Sequence, residues 1–258
     1  QILKFFKFNF SKYFVDKPNL RSSHSKKTPT SGGISFVLVS QFLYFFSKNP
    51  IPLICLPLAI IGLLDDKFHL SSKFRYFIQI ITGFLIAIRS PFYTNLVVNK
   101  EVNIFNILVT ISIAFAVTII INLVNFMDGL DGLVAGCMLI GFLALAFLNN
   151  GNLFLIVGSL IAFIYWNWHP SKIFMGDIGS TFLAASYAGF ILENTDLTKI
   201  FIYLSILFPI FADSVSCLIM RILDKQNIFK AHKLHLYQRL HQAGYSHEKV
   251  SIIYISSS

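Results

Sequence analysis

The chain has 258 residues, of which 55% are hydrophobic and only 13% are charged. A soluble globular domain carries charge on about a quarter of its residues, and apolar runs here recur along nearly the whole chain, which leaves no room for a separate soluble domain. The formal net charge is +9, but the basic residues lie between apolar runs, where membrane topology explains them and no nucleic-acid partner is expected. Three isolated cysteines in apolar segments are typical of reduced packing residues: Cys55, Cys137 and Cys217.

The chain begins with a basic and aromatic stretch, followed by a polar loop, residues 16–33, that contains the sequence PTSGG. Eight apolar segments come next, at residues 34–47, 51–64, 74–89, 104–122, 133–148, 153–168, 179–193 and 200–220. Several are shorter than the roughly 20 residues that a helix needs to cross a bilayer, so we expect them to extend into their flanks. Pro209 predicts a kink in the last one. We expect one integral-membrane domain over residues 1–258, trimmed at both ends.

Membrane topology follows from the basic residues. If each segment crosses once, the loops at 11–33, 64–74, 122–132, 169–178 and 221–249 lie on one side of the membrane. That side carries fifteen lysines and arginines, whereas the opposite loops carry four. Because positive loops stay in the cytoplasm, we expect a multi-pass membrane protein with these loops facing the cytoplasm. Five aspartates from distant loops then share one face: Asp65, Asp66, Asp128, Asp131 and Asp177.

The sequence NLVNFMDGLDG, residues 122–132, is the densest polar motif. An aspartate beside a membrane span costs roughly 2.5–3.5 kcal/mol, so such residues are seldom placed there without a function. If the stretch is helical, Asn122, Asn125, Asp128 and Asp131 share one face, because they recur every three residues. The glycines can instead open the helix end into a loop that closely approaches a ligand. A simple turn between two helices is the plain alternative.

Two further motifs carry carboxylates. In LLDDK, Asp65 and Asp66 cannot point the same way on a helix, and Lys67 beside them can contact a phosphate; a helix end decorated with charge is the alternative. In FMGDIGST, Asp177 lies between two glycines, where it can cap a helix or bind Mg²⁺, which prefers one or two carboxylates with phosphate oxygens. The role of His169 stays open.

The sequence HKLHLYQRL offers two imidazoles and a guanidinium. His232, His235 and Arg239 stand at positions i, i+3 and i+7, so a helix would present them on one face suited to a diphosphate or phosphosugar. A basic membrane-surface helix is the alternative, and a zinc pair is only weakly indicated. His241 and His247 are expected to be ordinary surface histidines.

In this order, PTSGG, LLDDK, NLVNFMDGLDGL, KIFMGDIGST and HKLHLYQRL resemble the polyprenyl-phosphate N-acetylhexosamine-1-phosphate transferases, over about residues 16–249. The resemblance implies a bundle of about ten or eleven transmembrane helices in a complete protein, about eight of them in this chain, in the all-α class. It also implies transfer of a sugar-1-phosphate from a UDP-N-acetylhexosamine to undecaprenyl phosphate, with release of UMP. Mg²⁺ is the implied ion, with Mn²⁺ as an alternative. A homodimer is one assembly to consider.

By motif match, the resemblance assigns a role to each candidate residue. Asp65 and Asp66 take the places of the catalytic pair, and Asp177, with Asp128, the places of the metal ligands. The substrate-binding positions are Lys67, Asn122, Asn125, Asp128, Asp131, His232, His235 and Arg239. HKLHLYQRL lacks the consecutive histidines of the pentapeptide transferases, which favours the branch that begins O-antigen or capsule synthesis. A phospho-MurNAc-pentapeptide transferase is the alternative within the family.

Three readings other than an active transferase stay open. A transporter would place its charged residues near mid-membrane on broken helices, whereas these aspartates lie at one rim. An inactive relative would bind lipid phosphate as a scaffold, although all five acidic positions are present. A lipid-diphosphate phosphatase would also use Mg²⁺ and carboxylates, and UMP release that depends on a UDP-sugar separates it from a transferase.

Overall fold

The computed structural model describes residues 14–16, 18, 27–97, 103–148, 151–227 and 233–258. Within them the predicted all-α class is confirmed, and the extended part is one short antiparallel pair, β1 (Val15–Asp16) with β2 (Thr28–Pro29). The helices are α1 (Gly33–Ser47), α2 (Ile51–Phe68), α3 (Ser72–Arg89), α4 (Pro91–Leu96), α5 (Ile104–Phe126), α6 (Leu133–Leu148), α7 (Phe154–Asn167), α8 (Gly176–Ile191), α9 (Leu197–Ile206), α10 (Phe208–Leu223), α11 (Leu236–Gln242) and α12 (His247–Ser257). A 3₁₀ turn, Gly151–Leu153, precedes α7.

Helix α8 is the centre of the bundle. Every residue from Ile178 to Ile191 is buried, and α8 packs against α1, α2, α3, α5, α6 and α9. Small residues allow this crowding: an added Cβ at Gly33 on α1 would lie 2.6 Å from the Cα of Gly179. Likewise, an added Cβ at Gly62 on α2 would lie 2.5 Å from the carbonyl carbon of Asp177. The backbones of α2 and α8 therefore touch at the residue just before the LLDDK motif, about one turn before its aspartates, which sets these beside Asp177.

Each of the eight predicted apolar segments coincides with helical structure. The last differs in form, because residues 200–220 are two helices, α9 and α10, bent by 77° at Leu207. Pro209 stands in the first turn of α10, where its missing N–H costs no hydrogen bond, so the predicted kink is confirmed as a break. Among the described helices, α5 alone is long and apolar enough to cross a membrane. If the bent pair of α9 and α10 counts as one span, the number of such spans is two.

The outer faces of the bundle are apolar. Large side chains stand exposed on several helices, among them Phe45 on α1, Phe77 on α3, Phe115 on α5 and Phe201 on α9. Polar side chains such as Ser186 are buried in the interior instead. Apolar surface of this extent marks contact with lipid or with another protein, and it leaves the polar chemistry to one end of the bundle.

Candidate functional site

Asp66 and Asp177 meet where α2 ends and α8 begins. The backbone N–H of Asp177 donates to Oδ1 of Asp66 at 3.1 Å. Gly176 precedes it with φ of +71°, a left-handed conformation that suits glycine, and an added Cβ there would run into the Asp66 carboxylate. The second oxygen of Asp66, Oδ2, is buried and has no hydrogen-bond partner within the described part of the chain.

Arg75 on α3 binds two carboxylates at once. Its Nη1 donates to Oδ2 of Asp65 at 2.7 Å and to Oδ2 of Asp177 at 3.0 Å. Oδ1 of Asp65 accepts from the backbone N–H of Leu70 at 2.6 Å. The two adjacent aspartates of LLDDK therefore point to different places, as predicted: Asp65 turns to Arg75 and Asp66 to Asp177.

Negative charge is concentrated where these helix ends meet, outside the apolar segments. Burial raises the pKa of Asp128 to about 8, and the charges of Asp177 and Asp131 add to the rise. Burial raises the pKa of Asp177 to about 7; the Asp65 carboxyl adds to this and Arg75 opposes it. The pKa of Asp66 is also well above its ordinary value, through burial and then the charge of Asp177. A divalent cation would relieve this repulsion.

The donors present fit Mg²⁺. Hard cations take carboxylate oxygens and leave positions for water and phosphate, and the cluster offers three carboxyls, on Asp66, Asp128 and Asp177. The buried Oδ2 of Asp66, which has no hydrogen-bond partner in the described part of the chain, is available as a metal-ligand atom. A buried polar atom without a partner costs stability unless a ligand binds it.

The NLVNFMDGLDG motif combines a helix end with a turn. Helix α5 ends at Phe126, so the prediction that all four polar residues share one helical face was wrong, and the alternative of a glycine-opened loop is what forms. Gly132 has φ of +76°, and the chain reverses there into α6. Asn122 donates from Nδ2 to Oε1 of Gln79 at 2.7 Å, whereas Oδ1 of Asn125 accepts from Oγ of Ser180 at 2.7 Å.

Asp131 faces away from the three-carboxyl cluster. Its Oδ2 lies 2.7 Å from Nδ1 of His169 and 3.4 Å from Nδ1 of His247, and it accepts from the backbone N–H of Ser171 at 3.2 Å. Burial opposes ionisation of Asp131, but these partners outweigh it and lower the pKa to about 2. His247 is buried, so its expected place as a surface histidine was wrong. Asp131, His169 and His247 are so far apart in the sequence that no motif spacing could predict their contact.

The histidine loop is fixed by Asp213 of α10. Helix α11 begins only at Leu236, so the predicted single helical face through His235 and Arg239 was wrong, and His232 lies outside the described residues. Oδ1 of Asp213 lies 3.3 Å from Nδ1 of His235 and accepts from the backbone N–H of Leu236 at 2.8 Å. Buried His235 is thus turned to α10, whereas Arg239 is exposed.

The other oxygen of Asp213 holds two further groups. Oδ2 accepts from the backbone N–H of Tyr237 at 3.0 Å and from the hydroxyl of Tyr254 at 2.6 Å. Tyr237 in turn donates from its hydroxyl to the carbonyl of Phe126 at 3.2 Å. One carboxylate therefore ties α11 and α12 to the end of α5, beside Asp128.

A cavity of about 120 Å³ opens next to the carboxylates, between α2, α3, α5 and α8. Its lining combines polar and apolar side chains: Arg75, Gln79, Asn122, Asn125 and Asp177 together with Leu58, Ile61 and Phe126. Lys67 is exposed at the end of α2, with Nζ 4.9 Å from the centre of the Phe68 ring. A mixed lining of this kind suits a phosphate carried by an apolar chain.

Residues 51–195, more than half of the sequence, match glycosyl transferase family 4. The chain belongs to this family. The match contains LLDDK, NLVNFMDGLDG and FMGDIGST, whose carboxylates the fold brings together at the ends of α2, α5 and α8. The predicted resemblance is confirmed.

Curated relatives of this family 4 chain carry two kinds of name. "Probable undecaprenyl-phosphate N-acetylglucosaminyl 1-phosphate transferase" of Bacillus subtilis (strain 168) is 32% identical, over 93% of this chain and 74% of its own length. "Undecaprenyl-phosphate alpha-N-acetylglucosaminyl 1-phosphate transferase" of Thermotoga maritima is 33% identical, over 88% of this chain and 73% of its own. A "phospho-N-acetylmuramoyl-pentapeptide-transferase" of Staphylococcus saprophyticus is 30% identical, over 90% of this chain and 83% of its own length.

The family 4 fold also reveals residues that the sequence patterns did not single out. Arg75 follows LLDDK by a short loop, and a cation in the first turn of an apolar helix is a signal that could have pointed to it. Asn167 at the end of α7 accepts from the N–H of Gly132 at 3.0 Å and donates to the carbonyl of Ile173 at 3.0 Å. It holds the Asp131 turn against the loop that leads to Asp177.

Proposed function

We propose that this family 4 chain transfers N-acetylhexosamine-1-phosphate, or a related amino-sugar-1-phosphate, from a UDP-sugar to undecaprenyl phosphate, releasing UMP. The product would begin cell-surface glycan synthesis on a lipid carrier. One observation carries the proposal: Asp66, Asp177 and Arg75 converge beside a cavity lined by both polar and apolar side chains. The names of the Bacillus and Thermotoga relatives support the transferred sugar phosphate and the lipid acceptor.

The reaction must bring two anions together. Phosphoryl transfer depends mainly on positioning and on charge stabilisation, and the chain offers a cation of its own in Arg75. We propose that Asp128 and Asp177 hold Mg²⁺, which when bound supplies positive charge that offsets the phosphates. Asp66 then takes the catalytic part: its unpartnered Oδ2 receives the proton of the lipid phosphate or positions that group. Asp65 orients Arg75.

The donor side of the site is built from other residues of the motifs. Asn125 and Asp131 flank the turn after α5. We propose that Asn125 faces the nucleotide and that Asp131 serves the same side of the site by fixing this turn through His169 and His247. Arg239, exposed on α11, and Lys67 are placed to meet the diphosphate or the sugar; for His232 we propose the same role from its motif alone. His235 contributes indirectly: its contact with Asp213 fixes the start of α11, the helix that carries Arg239.

The membrane topology belongs to the same proposal. We propose eight spans, with α9 and α10 forming a bent last one, in the bacterial inner membrane. The excess of basic residues on the motif side supports a site that faces the cytoplasm, and the apolar outer faces support a lipid environment. The expected homodimer stays a prediction.

A second candidate is transfer of phospho-MurNAc-pentapeptide, because a relative of that name is 30% identical. The two functions share the acceptor and differ in the donor. A panel of donors therefore separates them, whereas a transporter or a phosphatase would release no UMP from any of them.

The test uses membranes containing the full-length protein, undecaprenyl phosphate, Mg²⁺ and a panel of UDP-sugars that includes UDP-MurNAc-pentapeptide. UMP and lipid-linked sugar are followed by mass spectrometry. We expect UMP with an N-acetylhexosamine donor, abolished by EDTA and by Asp66→Asn or Asp177→Asn. Asp224→Asn, an exposed aspartate after α10, is the matched control and should keep full activity. Folded protein that releases no UMP from any donor would refute the proposal.

A further inference from the structure

Asp131, His169 and His247 bring three metal-ligating side chains together apart from the three-carboxyl cluster. Their ligand atoms all lie within 4.8 Å of one another. They come from three separate parts of the chain: the turn after α5, the loop after α7 and the first residue of α12. We propose that they form a second cation site, selective for divalent transition ions of the zinc class.

The geometry is close to what such an ion requires. Zinc ligands at about 2.0–2.1 Å from a tetrahedral centre are about 3.3 Å from each other. Oδ2 of Asp131 is 3.4 Å from Nδ1 of His247 and 2.7 Å from Nδ1 of His169. His247 already has the required separation from the carboxylate, and a shift of His169 by about 0.6 Å would give it the same separation. The centres of the two imidazole rings are 4.7 Å apart.

The donor chemistry separates this site from the Mg²⁺ site. Imidazole nitrogens suit Zn²⁺, Cu²⁺, Fe²⁺ and Ni²⁺, whereas Mg²⁺ is held by carboxylate, phosphate and water oxygens. Asp131, His169 and His247 give two imidazoles and one carboxylate. Three protein ligands with a solvent molecule in the fourth position form an established zinc arrangement. His169 has 40% of its side chain exposed, so an ion can enter from solvent and keep a water.

Surrounding contacts hold the ligands in place. The backbone N–H of Ser171 donates to the Asp131 carboxylate, and Oγ of Ser251 donates to the Asp131 carbonyl at 2.8 Å. The ring of His241 packs edge-on against His247, with centroids 4.5 Å apart. Outer contacts of this kind orient metal ligands and tune their affinity. A bound ion would fasten α12 to the turn after α5.

Metal binding is measured on the full chain in detergent micelles, without either substrate. The protein is stripped with EDTA and returned to millimolar Mg²⁺, which fills the three-carboxyl cluster. Co²⁺ is then added and its visible absorption recorded, followed by displacement with Zn²⁺. We expect one equivalent of Co²⁺ with an intense tetrahedral spectrum, full displacement by Zn²⁺, and a higher melting temperature with Zn²⁺ than without.

Two variants and one control assign the ligands. His169→Gln and His247→Gln keep an amide that can donate to Asp131, and each should weaken Zn²⁺ binding by about tenfold or more. His69→Asn removes an exposed imidazole outside the cluster, at a left-handed backbone position that asparagine tolerates. It should bind Zn²⁺ like the parent chain.

X-ray absorption at the zinc edge of the parent protein needs no variant, and two imidazole shells would support the site. A spectrum with oxygen ligands alone, binding that both glutamine variants retain, or no binding in millimolar Mg²⁺ would each overturn the proposal. UMP release is not part of these measurements, so a failure of metal binding and a failure of the proposed transfer reaction are told apart.

Discussion

Arg75 lies between two carboxylates and donates to Asp177 on the central helix α8 at 3.0 Å. The same nitrogen donates to Asp65 on α2 at 2.7 Å. Three helices are thus joined by one guanidinium next to the proposed metal ligands. Arg75 carries positive charge that cannot be lost by deprotonation, so the guanidinium itself stays a cation over the whole working pH range.

The first prediction concerns this guanidinium. Arg75→Ala leaves Asp65 and Asp177 facing each other without a cation, and we expect UMP release to fall by about 100-fold or more, since a charged transition-state partner is worth a few kcal/mol. Arg75→Lys should recover part of the rate, because an ammonium is a point charge that cannot present a planar fork. Lys73→Ala, an exposed cation on the same helix, should have no effect.

A second prediction tests the contact between α2 and α8. Gly62→Ala would place a methyl 2.5 Å from the carbonyl carbon of Asp177, so the helices must separate and move Asp66 from Asp177. We expect a loss of roughly 1–3 kcal/mol of stability from this overpacking and a larger loss of activity.

Gly158→Ala is the matched control for this steric argument. Gly158 also lies inside a helix, α7, but an added Cβ meets nothing within 4 Å. We expect that variant to be active and to gain up to about 1 kcal/mol, because alanine favours a helix over glycine. Equal melting temperatures for the two variants would contradict the steric argument.

Much of this arrangement could be predicted from the sequence, and the reason is physical. The eight apolar segments set the helices, and charge cannot stay in lipid, so the aspartates had to collect at helix ends on a common face. Asp65, Asp66 and Asp177 therefore met as expected. Gly62 carried no signal of its own, although it decides how closely they meet.

Other features could not be predicted, because they depend on turns and on distant pairs. A spacing of three placed Asp128 and Asp131 on one helical face, but α5 ends at Phe126, and in the turn that follows the Asp131 carboxylate is bound by His169 and His247. Asp131 and His247 lie 116 positions apart in the chain, and only the tertiary fold makes them neighbours.

A third prediction concerns Asp213 and the start of α11. Asp213→Asn removes the charge that accepts from Leu236, Tyr237 and Tyr254. Hydrogen bonds to a charged group are worth about 1.5–3 kcal/mol each, so we expect a clear drop in melting temperature and a KM for the UDP-sugar raised by about tenfold. Tyr254→Phe removes one of these bonds and should lower stability by only about 1–3 kcal/mol.

The KM for the second substrate, undecaprenyl phosphate, shows whether Asp213 positions the donor side of the site or only supports the whole fold. Loosening α11 displaces Arg239, on the proposed donor side, and leaves the cavity between α2, α3, α5 and α8 intact. The KM for undecaprenyl phosphate should therefore change little in Asp213→Asn. Equal increases in both KM values would show that Asp213 only supports the fold.

The last prediction separates the two aspartates of the turn after α5. The charge of Asp177 and, to a smaller extent, that of Asp131 raise the pKa of Asp128, whereas Asp131 itself is bound by His169 and His247. Asp128→Asn should therefore raise the Mg²⁺ concentration that gives half-maximal UMP release, by about 10-fold or more, because a carboxylate ligand is lost. Asp131→Asn should leave that Mg²⁺ concentration unchanged and raise the KM for the UDP-sugar. Both variants keep the side-chain size, so a difference between them reports chemistry and not packing. An equal shift of the Mg²⁺ requirement in Asp128→Asn and Asp131→Asn would mean that the two carboxylates act as one site. That outcome would contradict the separate roles proposed here.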